Sequence, residues 1–368
     1  MLMLKKTIAA LSLLSILAAC QNDENPSQPE PKPRQDINLT RAEQEFMDKG
    51  TDFAFRFFDQ VCSTEKEKPN VFVSPLSASL CLSMITNGAT DNTLAEMQDV
   101  LGFPANTFSL DDLNNYNQKL TSALLDLDNT TQLGIANSIW IEEGFKVYDS
   151  FVDVNKKMYD AQVQELDFTS PTAKDVINQW CATQTNNCIK EVIQEIPADA
   201  RMYLINALYF KGIWKSQFDK SATGQDNFTN VDGSQQKVAM MNQTATFNYT
   251  QTDDFSIAEL PYGNEAFSMV ILLPSGDKTL DESLPSLNYE NWKQWSKNMV
   301  GKELQIKLPR FKVEYDKELE EDMIAMGMKD AFDAYKAKFA NMSGAELYIG
   351  LLQQFTYINV DEEGTEAA

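Results

Sequence analysis

The 368 residues are 43% hydrophobic and 10% aromatic, with fifteen glycines and thirteen prolines, so the chain can bury a large core and is neither fibrous nor low-complexity. Its formal charge is −23 and it has no run of clustered Lys and Arg, which argues against nucleic acid and heparin-like polyanions as partners. It contains no histidine, which removes Ser-His-Asp and Cys-His nucleophilic pairs and imidazole-ligated zinc.

Residues 1–19 read as an export leader. Lys5 and Lys6 precede an apolar run too short to span a bilayer but suited to a signal-peptide core. The run closes on Leu17-Ala18-Ala19-Cys20, which resembles a lipobox, where cleavage precedes a cysteine that carries lipid. That resemblance implies lipidation of Cys20 and a protein held at the outer membrane or cell surface by this anchor alone. The alternative is an ordinary signal peptide that happens to contain a cysteine. Residues 20–37 form a linker: Pro26, Pro29, Pro31 and Pro33 keep it extended, and its lack of apolar residues keeps it out of any core. Asp23 and Glu24 resemble the surface-export signals of some bacterial lipoproteins.

The folded domain is expected over residues 38–368. Thr40 and Glu43 form a capping box, and Phe46, Gly50, Phe53 and Phe57 continue it at helical spacing. Ser63-Thr64-Glu65-Lys66 matches the S-x-x-K of penicillin-recognising enzymes, but no S-D-N follows and Lys278-Thr279 lacks the following glycine. A solvated turn after a helix accounts for it. Val71 to Val73 predict a short strand. Pro75 opens a helix with Leu80, Met84 and Ile85 on its buried face, and Gly88 suits its end.

Further along, LGIANSIWIEE alternates as a strand, and FVDVNKKMYDAQVQELDF passes from helix to strand. MYLINALYFKGIW is nearly all apolar and predicts a central strand buried on both faces. AFSMVILLP and ELQIKLPRFKVEY are further strands, and LEEDMIAMGMKDAF is a helix ending near Gly327. Helices come mostly early and long strands mostly late, which predicts an α+β fold around a large mixed sheet. Cys62, Cys81, Cys181 and Cys188 could pair in an exported chain, but free buried thiols are the favoured reading.

These segments, in this order, resemble the serpin family from residue 40 onward. NVFVSPLSASLCLSMITNGATDNT is similar to its N-x-F-x-S-P-x-S stretch, LGIANSIW to its A-N-x-[IL]-[FW] strand, and INALYFKGIW to its N-A-x-Y-F-K-G-x-W signature. ELPYGNEAFSMVILLP, LPRFKVEY, Met326-Gly327-Met328 and Ala337 to Ser343 continue the match. NVDEEGTEAA resembles the hinge of the family's reactive loop, placed here on Glu362, Glu363, Gly364, Thr365, Glu366, Ala367 and Ala368.

The resemblance implies a serpin fold: a large mixed central sheet, further sheets and a surrounding set of helices. It also implies a monomeric protease inhibitor, without cofactor or metal, whose partner is a target serine protease or a papain-like cysteine protease. Such a protein traps the protease as an acyl-enzyme when the cleaved loop enters the main sheet as a new central strand. The alternative is a non-inhibitory serpin serving as a cell-surface binding or structural protein. The family's loop length puts the scissile bond and the C-terminal strands beyond Ala368, as a truncated gene or a processed chain would leave them.

Insertion sets the chemistry of the hinge. Strand periodicity puts Thr365 and Ala367 inward and Glu366 and Ala368 outward, while Gly364 gives the chain a place to swing. The resemblance places a shutter at Ser74, Ser77, Asn206 and Gln354, and a breach at Trp214, Arg310 and Glu362. Gln354 stands where the family commonly carries a histidine, and Phe355 where lysine is frequent. Glutamine retains the donor and acceptor but cannot titrate. Asn206 is therefore expected to bond Gln354, Ser74 or Ser77, and Glu362 to approach Arg310.

Overall fold

The computed structural model describes residues 31–368. The leader, Cys20 and the start of the linker lie outside the described residues. Among the described residues no helix is long and apolar enough to cross a membrane.

The first helix, α1 (Arg41–Thr64), starts on the Thr40–Glu43 capping box, where each side chain accepts from the other residue's backbone N–H. Its buried face is Phe46, Phe53, Phe57 and Val61. Ser63 and Thr64 finish its last turn, with Ser63 Oγ donating to Gln60 O, so the S-x-x-K match is the frayed end of a helix. The next helix, α2 (Pro75–Thr86), has proline at its first position and Ser74 as N-cap. It is buried on several faces, through Leu80, Leu82, Met84 and Ile85. Val71 to Val73 form no strand. That stretch instead lends the Phe72 carbonyl to the Thr356 hydroxyl, at 2.6 Å. Gly88 is not a left-handed cap either; a Cβ there would lie 2.6 Å from Met342 Cε, so packing requires the glycine.

Helices α3 (Asp91–Leu101), α4 (Leu110–Asp126), α5 (Asp149–Tyr159) and α6 (Ala173–Gln184) alternate with β1 (Gln132–Glu142), β2 (Gln162–Leu166) and β3 (Met202–Ile213). There follow β4 (Gly224–Thr229), β5 (Gln235–Gln251), β6 (Phe255–Pro261), β7 (Ser268–Pro274), α7 (Leu280–Ser283), α8 (Tyr289–Lys297), β8 (Val300–Pro309), β9 (Phe311–Glu318) and α9 (Glu320–Met326). The chain closes on β10 (Gln353–Val360) and β11 (Gly364–Ala367).

The large sheet has six strands in the order β2-β1-β3-β11-β10-β9, antiparallel except for the β1–β2 pair. The second runs β4-β5-β6-β7, with β8 also pairing β5. This is an α+β fold built around a large mixed sheet. Pro309 ends β8 in the second sheet and Phe311 begins β9 in the first, so Arg310 stands at the junction of the two. A cluster of Trp214, Phe218, Met241, Leu260, Tyr262, Leu308 and Val360 fills that junction. The four described cysteines are free thiols, and burial pushes Cys81 and Cys181 up to about 12. The β3 segment is half-buried along much of its length rather than buried on both faces, and β11 pairs only its Phe210–Ile213 end.

Candidate hinge and strand-insertion site

The last two strands form a hairpin. Asp361 closes its turn: the carboxylate accepts from Glu363 N at 2.9 Å and Gly364 N at 3.2 Å, while Asp361 N donates to Gly364 O. The returning strand pairs Thr365 with Val360 on β10 and with Gly212 on β3, and Ala367 with Ile358 and Phe210. The hinge residues therefore form a strand inside the large sheet.

Glycines stand on both sides of the seam between β3 and β11. A Cβ on Gly364 would lie 1.9 Å from Gly212 O, and one on Gly212 would lie 2.8 Å from Phe210 Cζ and 2.9 Å from the Tyr262 ring. The need for glycine at 364 is thus close backbone approach, beyond the freedom to swing. Thr365 is buried on the Phe210 face, where its Oγ1 accepts from Tyr262 OH at 2.6 Å. Glu366 points to the other face and accepts from Tyr209 OH at 2.6 Å and from Asn186 Nδ2 at 3.5 Å, with Lys211 Nζ at 3.9 Å. Alternation with period two is obeyed.

The acidic turn is clasped by the residues after β3. Trp214 Nε1 donates to Asp361 O at 2.8 Å, Trp214 N to Glu363 O at 2.9 Å, and Phe218 N to Glu362 O at 3.0 Å. The Trp214 ring stacks on Tyr262 at 4.4 Å. Glu362 is 1% exposed, and its carboxylate accepts from Arg310 Nη2 at 2.6 Å and from Thr223 Oγ1 at 2.7 Å. Burial pushes its pKa up, but the Arg310 and Thr223 hydrogen bonds outweigh that and hold it below the usual carboxylate value. Glu363 pairs with Lys220 at the surface. Trp214, Arg310 and Glu362 thus meet at one end of the slot between β3 and β10.

The expectation for Asn206 does not hold. No hydrogen bond joins it to Gln354, Ser74 or Ser77. Its Nδ2 donates instead to Asn137 Oδ1 on β1, at 2.8 Å, and its Oδ1 is buried without a partner. Gln354 has both ends of its amide occupied by Ser74, accepting from the backbone N–H and donating to the C=O, each at 2.9 Å. Ser74 Oγ is occupied too, since it caps α2 by accepting from Ser77 N at 3.4 Å. Sequence reading missed Gly212, Tyr262, Thr223, Tyr209 and Asn186. Of these, a glycine inside an apolar strand signalled a close backbone approach at Gly212.

A family model described as serpin (serine protease inhibitor) matches residues 48–368. The chain belongs to the serpin family. An uncharacterized serpin-like protein of Methanosarcina acetivorans is 34% identical over 323 residues, 86% of this chain and 74% of that protein. Serpin B6 of Macaca fascicularis is 36% identical, covering 81% of each chain. Among solved structures, the thermophilic serpin tengpin in the latent state is 32% identical with a TM-score of 0.81, covering 90% of this chain and 89% of that one. Cleaved Serpin 42Da is 29% identical with a TM-score of 0.82, covering 89% and 88%. Serpins are generally protease inhibitors rather than enzymes.

Proposed function

We propose that this serpin inhibits serine-type endopeptidases, with papain-like cysteine proteases as further targets, by suicide-substrate trapping. In that mechanism the protease nucleophile attacks a reactive-loop carbonyl, the peptide bond breaks, and the loop's new C-terminal side departs as the amine. The remaining acyl-enzyme is carried off as the loop enters the large sheet. The observation that supports this reading is β11: Gly364, Thr365 and Ala367 fit between β3 and β10 with small or hydrogen-bonded side chains inward. Bulk or unpaired charge there would oppose insertion.

The test is to incubate the gene product with trypsin-like, elastase-like and papain-like proteases and look for an SDS-stable complex. Simple cleavage without a complex across all three classes would leave a binding or structural role.

Two further parts of the reading rest on sequence and charge. Lipid on Cys20 would hold the protein at the outer membrane or cell surface, and Cys20→Ser is expected to release it from membrane fractions. Continued membrane association of that variant would point to another anchor. Heparin-like polyanions are expected to leave the inhibition rate unchanged, because Asp111, Asp112 and Asp126 accompany a single lysine on α4. That Lys119 is already engaged by Glu43 at 2.7 Å.

A further inference from the structure

The linker does not simply hang from the domain. Lys32 lies between Pro31 and Pro33, neither of which has a backbone N–H, so its amide is the only backbone donor in that triplet. Proline on both sides also holds it extended before any contact forms, which lowers the ordering cost of docking. All three of its polar groups meet the domain. The amide donates to Asn129 Oδ1 at 2.8 Å, the carbonyl accepts from Asn264 Nδ2 at 3.1 Å, and Nζ donates to Asp126 Oδ1 at 2.7 Å.

The receiving surface is two turns locked together. Asp128, buried in the turn between α4 and β1, accepts from Thr130 N, Thr130 Oγ1 and Thr131 Oγ1 at 2.8, 2.7 and 2.8 Å. It also accepts from Asn264 N, in the turn between β6 and β7, at 3.3 Å. Asn264 Nδ2 reaches Leu127 O at 2.8 Å as well. The turns sit so close that a Cβ on Gly263 would lie 2.2 Å from Thr130 Oγ1. Two residues before Asn264 is Tyr262, the donor to Thr365 of the inserted strand.

We infer that Pro31-Lys32-Pro33 is a docking segment: the linker binds the cleft between the α4–β1 and β6–β7 turns and so leaves the domain at the hinge end of the large sheet. Its consequence for orientation rests on the lipid attachment proposed above. Eleven residues lie between Cys20 and Lys32, a reach of at most about 43 Å over twelve steps, so an anchored molecule would carry its hinge end toward the membrane side.

The experiment is zero-length carbodiimide cross-linking of the full chain, read by mass spectrometry. A Lys32–Asp126 isopeptide is expected among the main products, and the Asn129→Ala/Asn264→Ala double variant is expected to lower its yield at least about fivefold, Lys32 and Asp126 being intact. A fold-independent check is hydrogen exchange of the Lys32 amide in the unaltered chain, expected about tenfold slower than in a free linker peptide. Absence of the cross-link, an unchanged yield in the double variant, or exchange at the peptide rate would each overturn the docking. Cys20→Ser is expected to leave the cross-link unchanged, so a failure of anchoring and a failure of docking can be told apart.

Discussion

The slot between β3 and β10 is filled at one end and not at the other. Phe210 and Lys211 of β3 are paired on both sides, with β1 and with β11, and Gly212 and Ile213 pair with β11, which lies between β3 and β10. From Met202 to Tyr209 its described partner is β1 alone. At the filled end, Thr365 has Tyr262, Glu366 has Tyr209, and the carbonyls of the acidic turn have Trp214 and Phe218. At the other end, Gln354 has turned onto the Ser74 backbone and the Asn206 Oδ1 is buried without a donor. The filled end is thus held by side-chain hydrogen bonds and close glycine approach as well as by backbone pairing.

The largest expected effect breaks the filled end. Thr365→Arg would put a charge on the buried face beside Tyr262 and Phe210, with no anion to receive it. The cost of such an uncompensated charge is about 3–5 kcal/mol. Hydrogen exchange at the Gly364–Ala367 amides is expected to rise to near the unprotected rate while β1 and β9 keep theirs. Continued protection of those amides would mean that backbone pairing alone holds β11.

At the other end, Gln354→Leu tests whether the amide matters there at all. It would leave the Ser74 N–H without its partner, while the Ser74 C=O keeps the Ala78 N–H at 3.1 Å, at an expected cost of about 1–3 kcal/mol in urea unfolding. A change below about 0.5 kcal/mol would show that water replaces the amide freely, and would erase that part of the contrast.

Glu362→Gln sharpens the comparison through pH. Its carboxylate is held below the usual value in the folded chain, so its contribution is complete above the unfolded glutamate pKa of about 4.3. The contribution is lost as pH falls through the lower folded value. The variant is expected to be less stable by about 1–2 kcal/mol at pH 7, Arg310 being half-exposed and screened. The gap between the two chains should close on acidification below about pH 4. A gap that stayed constant from pH 7 to pH 3 would mean that the loss comes from packing rather than charge.

Much of this was legible in the sequence because it depends on local rules. The Thr40 box, Pro75 and the small inward residues of the hinge all specify their own structure within a few positions. Gln354, Asn206 and the Val71–Val73 stretch were misread for the opposite reason. Their partners lie far away in sequence, and which of several donors takes an amide depends on assembled geometry. Asn137 was always the residue opposite Asn206 in the β1–β3 register, but only the pairing itself reveals that.

The smallest expected effect isolates one hydrogen bond of the filled end. Tyr262→Phe removes the hydroxyl that donates to Thr365 Oγ1 and keeps the ring that stacks on Trp214. Because Thr365 is buried, its oxygen then has a neutral donor missing, worth about 0.5–1.5 kcal/mol, and the ring packing contributes nothing to the change. Threonine can rotate its hydroxyl toward another acceptor, which places the expectation at the lower half of that range. The double variant Tyr262→Phe with Thr365→Val supplies the decisive measurement. With both partners apolar no unsatisfied group remains, so exchange at Gly364–Ala367 is expected to recover most of its protection relative to Tyr262→Phe alone. Additive losses from the two substitutions would show that the hydroxyls act independently and that the 2.6 Å contact does not hold the hinge strand.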